Sequence, residues 1–196
     1  MLIAGCVNED VQAPVEQVRA AAFRAAEAPT LTVYTMISNR DGRGGHSALM
    51  VSGSQRVLFD PAGSWFHPSA PERGDVFYGM TPWHVNFYED YHARPTYHVV
   101  KHELAVSPEM AERALALVQA NGTAPKATCA RNVSRILREL GFTDVGRTWY
   151  PEVMMRDVAR IPGIRESKIF DDEEDPWSPE RGARARDIAQ ELLADG

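Results

Sequence analysis

Apolar residues recur along this chain with two different periods, and the switches between them mark out its elements. Val15, Val18, Ala22 and Ala25 or Ala26 follow a helical spacing within a stretch rich in Ala, Glu and Arg, which predicts a helix over 15–28, ended by Pro29. β-Formers alternate over 31–38. Two further short runs, 46–51 and 56–60, are separated by Ser52-Gly53-Ser54-Gln55 and predict a hairpin. Asn39-Arg40-Asp41-Gly42-Arg43-Gly44-Gly45 is a turn-rich loop leading straight into His46. Residues 61–74 are dense in Pro, Gly and Ser and read as loop; 75–78, 83–88 and 96–106 then carry the aromatic and β-branched residues of three more strands. Connections this short imply an antiparallel sheet.

The pattern then turns helical. Ser107 is a good N-cap, Pro108 suits the first turn, and Met110, Ala114, Leu117 and Val118 form one face before Asn121-Gly122 closes the helix. Thr128 is placed to cap a second helix running from Cys129 to about Leu140, stopped by Gly141. Past Trp149 the pattern weakens to a short helix over 151–160, an acidic cluster over 171–175 and a polar amphipathic helix over 179–193. The cluster lacks the glycine and spacing of a calcium loop and reads as a solvated linker. The expected fold class is α+β, an antiparallel sheet packed against helices, divided into a linker (1–14), a domain (15–149) and a partly helical C-terminal extension (150–196).

Composition narrows the function classes. At 196 residues, 44% hydrophobic and 24% charged, the chain suits one globular domain with its own core. A net charge of −6 argues against a nucleic-acid partner, which would call for a basic face. No run of about 18 apolar residues occurs, so no membrane-spanning helix is expected. Leu2-Ile3-Ala4-Gly5-Cys6 nevertheless resembles the lipobox of bacterial lipoproteins. Such a signal needs a basic region and an apolar stretch ahead of its cysteine, so lipidation of Cys6 expects those residues upstream of Met1. On that reading the protein is tethered in the cell envelope through Cys6; a fortuitous match leaves it cytoplasmic. The chain has only two cysteines, too few for a disulfide framework, and a lipidated Cys6 leaves Cys129 as the free thiol.

Cys129 falls in the first turn of its helix, where unpaired N–H groups and the positive end of the helix dipole favour a thiolate. The residue also lies on one apolar face with Val133, Ile136, Leu137 and Leu140, the pattern of a small buried hydrophobe. A strand-borne imidazole such as His46 could pair with the thiolate, act as general base and then protonate a leaving group. His67, His84, His92, His98 and His102 read as structural or surface histidines; on a strand, four residues separate His98 from His102 by about 13 Å, too far to share a metal. We expect no metal and no cofactor.

The order of sheet histidine, hairpin partner and helix-start cysteine resembles the circularly permuted branch of the NlpC/P60 papain-like superfamily, which includes lecithin:retinol acyltransferase-like proteins. The resemblance covers about residues 31–142. It rests on Gly44-Gly45-His46-Ser47-Ala48-Leu49-Met50-Val51, Val57-Leu58-Phe59-Asp60, Glu103-Leu104-Ala105-Val106-Ser107-Pro108-Glu109 and Thr128-Cys129-Ala130-Arg131-Asn132. It implies a permuted papain-like fold, Cys129 as nucleophile, His46 as base and Asp60 as the polar residue holding the second ring nitrogen. Thr128 stands where some relatives carry Asn. The implied activity is a thiol hydrolase, such as a peptidase or amidase, or an acyltransferase, acting on a peptide, peptidoglycan or lipid substrate. The alternative is a noncatalytic binding or assembly module on the same fold.

Overall fold

Alternating side chains give the strand Thr30–Ser38 (β1) two buried faces, and the rest of the molecule is arranged on either side of it. The computed structural model describes residues 10–170. Within them β1, β2 (Gly44–Ser52), β3 (Arg56–Phe59), β4 (Glu72–Arg73), β5 (Val76–Tyr78), β6 (Tyr97–Ala105) and β7 (Arg165–Ile169) form a seven-stranded sheet in the order β4-β5-β3-β2-β1-β6-β7. Every pairing is antiparallel. Five helices accompany it: α1 (Val15–Ala21), α2 (Pro82–His92), α3 (Pro108–Asn121), α4 (Cys129–Glu139) and α5 (Pro151–Val158). The architecture is α+β.

Leu31, Val33, Leu49, Val51, Val57 and Phe59 join the core shared with α3, α4 and α5, which contribute Leu115, Val118, Val133, Ile136, Leu137, Met154 and Val158. Tyr34, Met36, Ala48, Met50, Leu58, Phe77 and Val99 form the second core, with Trp65 and Met80 from loops and Tyr88 from α2. Full burial of a Leu or Ile side chain is worth about 1.5–3 kcal/mol. Ile136 and Leu137 are fully buried, so α4 is fixed firmly against the sheet.

Four elements differ from the sequence pattern, the shortest being β4, which lies within the stretch 61–74 read as loop. Residues 83–88 are helical, not extended: the Thr81 hydroxyl accepts the His84 N–H and Pro82 occupies the first turn. A cap and a pre-set φ outweigh the β-preference of Trp, Phe and Tyr there. The first helix stops at Ala21, after which the chain is irregular; the Arg56 N–H donates to the Phe23 carbonyl at 2.7 Å and the Arg56 guanidinium lies 5.3 Å from the Phe23 ring centroid. β7 has no hydrophobic alternation to announce it. Together with α5, it carries the packed domain past Trp149, into the region expected to be an extension. Cys6, the acidic cluster over 171–175 and the helix expected over 179–193 lie outside the described residues.

One irregularity positions the candidate chemistry. β3 pairs with β2 only from Leu49↔Phe59 to Ser52↔Arg56. Gly44 to Ala48 therefore have β1 on one side and, among the described residues, no strand on the other. The start of α4 fills that gap.

Candidate active site

The turn before β2 is closed by Gly42 N–H donating to the Ser38 carbonyl at 2.9 Å and Ser38 N–H donating to the Arg43 carbonyl at 2.8 Å. Gly44 and Gly45 then pass between close neighbours: a Cβ on Gly44 would lie 2.5 Å from Pro151 Cβ, and one on Gly45 would lie 2.7 Å from the Tyr97 ring. Gly44 N–H donates to Glu152 Oε2 at 3.0 Å, so α5 holds the strand that delivers His46.

Asp60 follows β3 directly and is buried. Its Oδ1 accepts the His46 Nε2–H, and also the Tyr88 hydroxyl from α2 at 3.1 Å. Asp60 N–H donates to the Asp75 carbonyl at 2.9 Å, and Gly63 N–H donates to the Asp60 carbonyl at 3.0 Å. Gly63 is a steric requirement as well, because a Cβ there would lie 2.0 Å from Asp60 Oδ2.

Cys129, a free cysteine, opens α4 and is 7% exposed. Its sulfur is near enough to the His46 ring and to the Ser47 and Ala130 N–H groups for each to favour the thiolate. Since His46 Nε2 is committed to Asp60, Nδ1 is the nitrogen that faces Cys129. Thr128 does not cap the helix as expected: its hydroxyl donates to the Pro125 carbonyl at 2.6 Å and accepts Asn132 Nδ2–H at 2.8 Å. The Cys129 N–H has no hydrogen-bond partner among the described residues.

The electrostatics follow from these contacts. Burial alone would depress the His46 pKa, but the Asp60 charge and hydrogen bond more than reverse it and raise it to about 10. Burial pushes the Cys129 thiol up; the His46 hydrogen bond and charge, with the Ser47 and Ala130 amides, bring it below its ordinary value. Burial likewise pushes Asp60 up, and His46 brings it below the usual carboxylate range. The three groups therefore favour a carboxylate, an imidazolium and a thiolate in sequence. A cleft of about 260 Å³ lined by Met36, Gly45, Tyr91, His92, Arg94 and Tyr97 reaches His46.

The three residues singled out from the sequence, Cys129, His46 and Asp60, thus meet at the end of one sheet. Tyr88, His92 and Gly63 were not singled out. The Thr81-Pro82 start, the same signal as Ser107-Pro108, could have placed Tyr88 and His92 one turn apart on a helix. Of the other histidines, His84 lies between Thr81 Oγ1 and Ser69 Oγ, each at 2.8 Å, and Ser69 Oγ is 2.9 Å from His67 Nδ1. His98 Nδ1 meets Asn39 Oδ1 at 2.6 Å, and buried His102 meets Glu166 Oε2 at 3.0 Å. Among the described residues no group of three or more His, Cys, Asp or Glu side chains is arranged to hold a metal ion, and no helix is long and apolar enough to cross a membrane. Comparison with known proteins finds no matching family model, no matching curated protein and no matching solved structure.

Proposed function

We propose that this chain is a thiol-dependent hydrolase or acyltransferase that acts on an amide, peptide or ester bond through a Cys129 acyl-enzyme. One observation carries the reading: the His46 imidazole is hydrogen-bonded through Nε2 to the buried Asp60 carboxylate and interacts with the Cys129 thiol, which leaves Nδ1 for the sulfur. The Cys129 thiolate attacks the substrate carbonyl. Its N–H, unpaired at the helix start, is a donor for the developing oxyanion. His46 then gives its Nδ1 proton to the leaving group, and Asp60 holds the ring and stabilises its charged form. The antiparallel sheet, with His46 and Asp60 on a hairpin ahead of a helix-start cysteine, supports a permuted papain-like fold of the NlpC/P60 type. The aromatic walls of the cleft suit a peptide, a peptidoglycan stem or a lipid acyl chain. The lipobox-like Leu2–Cys6 supports an envelope location with a lipid anchor at Cys6.

Alkylation by iodoacetamide against pH tests the nucleophile. An ordinary cysteine titrates near about 8.5, and the alkylation rate of Cys129 should rise with an apparent pKa below that. An apparent pKa at or above the ordinary value would remove the nucleophile. Cys129 is 7% exposed, the one observation on the side of the noncatalytic binding-module reading, and failure to alkylate in the folded protein would remove the catalytic reading in its favour.

A further inference from the structure

A second imidazole faces the cleft that reaches His46. His92, at the end of α2, stacks against the His46 ring with centroids 6.0 Å apart and planes inclined by 15°. Its Nδ1 lies 2.9 Å from the Tyr88 carbonyl oxygen. A carbonyl can only accept, so Nδ1 carries the proton and Nε2 of the neutral ring is a bare lone pair. Nε2 has no hydrogen-bond partner among the described residues, and it is not one of the buried polar atoms sealed from solvent. Burial holds the His92 pKa down at about 4, against the opposing pull of the Asp60 charge, so the ring stays neutral beside a charged His46. Two rings in one cleft therefore have different capacities. His46 has both nitrogens engaged, by Asp60 and Cys129; His92 offers a single acceptor to whatever enters.

We infer that His92 Nε2 accepts a hydrogen bond from the acyl acceptor, a compound with two hydrogens on its attacking atom such as water or a primary amine, and orients it towards the Cys129 thioester while the second hydrogen is left for His46. The inference rests on the acyl-enzyme reading above. After acylation, His46 is neutral, having given its proton to the leaving group. The acceptor oxygen or nitrogen then bonds to the acyl carbon, and the C–S bond breaks with its electron pair left on sulfur. The acceptor's proton passes to His46 Nδ1, which restores the imidazolium–thiolate pair. His92 exchanges no proton; it touches the acceptor and fixes its direction of approach.

Two variants separate this role from packing. His92→Phe keeps a ring against His46 and removes the acceptor, whereas His92→Gln keeps a carbonyl acceptor on a shorter side chain. Iodoacetamide alkylation and the p-nitrophenolate burst from p-nitrophenyl acetate read the first half-reaction; the steady-state rate after the burst reads the second. His92→Phe should alkylate and burst like wild type and lose about tenfold in the steady state, the effect of one hydrogen bond to a reacting group, with His92→Gln recovering part of the loss. An unchanged steady-state rate in His92→Phe would overturn the inference. So would equal loss of burst and alkylation in both variants, which would make His92 a packing residue. A wild-type protein without a burst, whose Cys129 alkylates like free cysteine, would instead overturn the acyl-enzyme reading and this inference with it.

Discussion

Asp60→Asn changes one property of the site and spares its shape. The amide oxygen of Asn can still accept from His46 Nε2–H and the Tyr88 hydroxyl, so the ring keeps its orientation while the buried negative charge disappears. That charge is what raises His46 to about 10 against the opposing effect of burial; without it the His46 pKa falls back towards 6.5 and below. The imidazolium then no longer supports the thiolate at neutral pH. A thiol with an ordinary pKa of about 8.5 is about 3% ionised at pH 7, so iodoacetamide labelling of Cys129 should slow, by at most roughly 30-fold, the limit set by a fully ionised wild type. The pH–rate profile for hydrolysis should change in a matching way. In the wild type, activity rises as Cys129 loses its proton, below the ordinary thiol value, and falls as His46 loses the proton needed by the leaving group, near 10. In Asp60→Asn the acid limb moves up and the alkaline limb moves down, closing the window from both sides. Thermal melts run in parallel identify any loss of folded protein. A folded Asp60→Asn protein that labels at the wild-type rate at pH 7, with both limbs unmoved, would refute the argument that this carboxylate sets the charge state of the pair.

Other substitutions probe other links. His46→Ala removes base, acid and counter-ion together and should lower turnover by at least roughly 10² to 10⁴, the proton-transfer role alone, exceeding the loss in Asp60→Asn; hydrolysis by purified His46→Ala within about tenfold of wild type would sink the mechanism. Gly63→Ala puts a methyl 2.0 Å from Asp60 Oδ2 and should displace the carboxylate, lowering both the melting temperature and the rate of Cys129 labelling; wild-type values for both would mean the carboxylate does not sit against Gly63. Ile136→Ala empties a fully buried site between α4 and the sheet and should cost about 2–5 kcal/mol in urea unfolding, with a loss under about 1 kcal/mol showing that α4 is not anchored there.

The sheet was legible in the sequence wherever period-two alternation coincided with a clear turn, as in β1, β2, β3 and β6, and α3 and α4 were legible from caps and apolar faces. The failures share a physical cause. In α2 the aromatic residues have high β-preference, yet the Thr81-Pro82 cap and packing against Tyr34 decide the outcome. β7 is a charged edge strand whose only warrant is the β6 edge it pairs with, and a partner so distant in sequence leaves no local periodicity. In the candidate site, Cys129, His46 and Asp60 were readable because each sits at the end of a recognisable element. Tyr88 and His92 were hidden with the helix that carries them. Gly63 was hidden for a different reason: its meaning depends on which way the Asp60 carboxylate points, a property of packing that no spacing along the chain encodes.

The break in the sheet beside Gly44 to Ala48 also bears on when the chemistry can first appear. His46 and Asp60 are 14 residues apart on one hairpin, a contact with a small loop-closure cost that can form early. The sulfur arrives only with α4, which lies beyond β6 and α3 in the chain, so its contact with His46 closes a far longer loop. Until α4 docks, Cys129 lacks the His46 ring and the Ser47 amide that lower its pKa, and it behaves as an unremarkable thiol. On the proposed mechanism, a nascent or half-unfolded chain therefore carries no active nucleophile. Loss of α4 docking would silence the site before the hairpin itself comes apart.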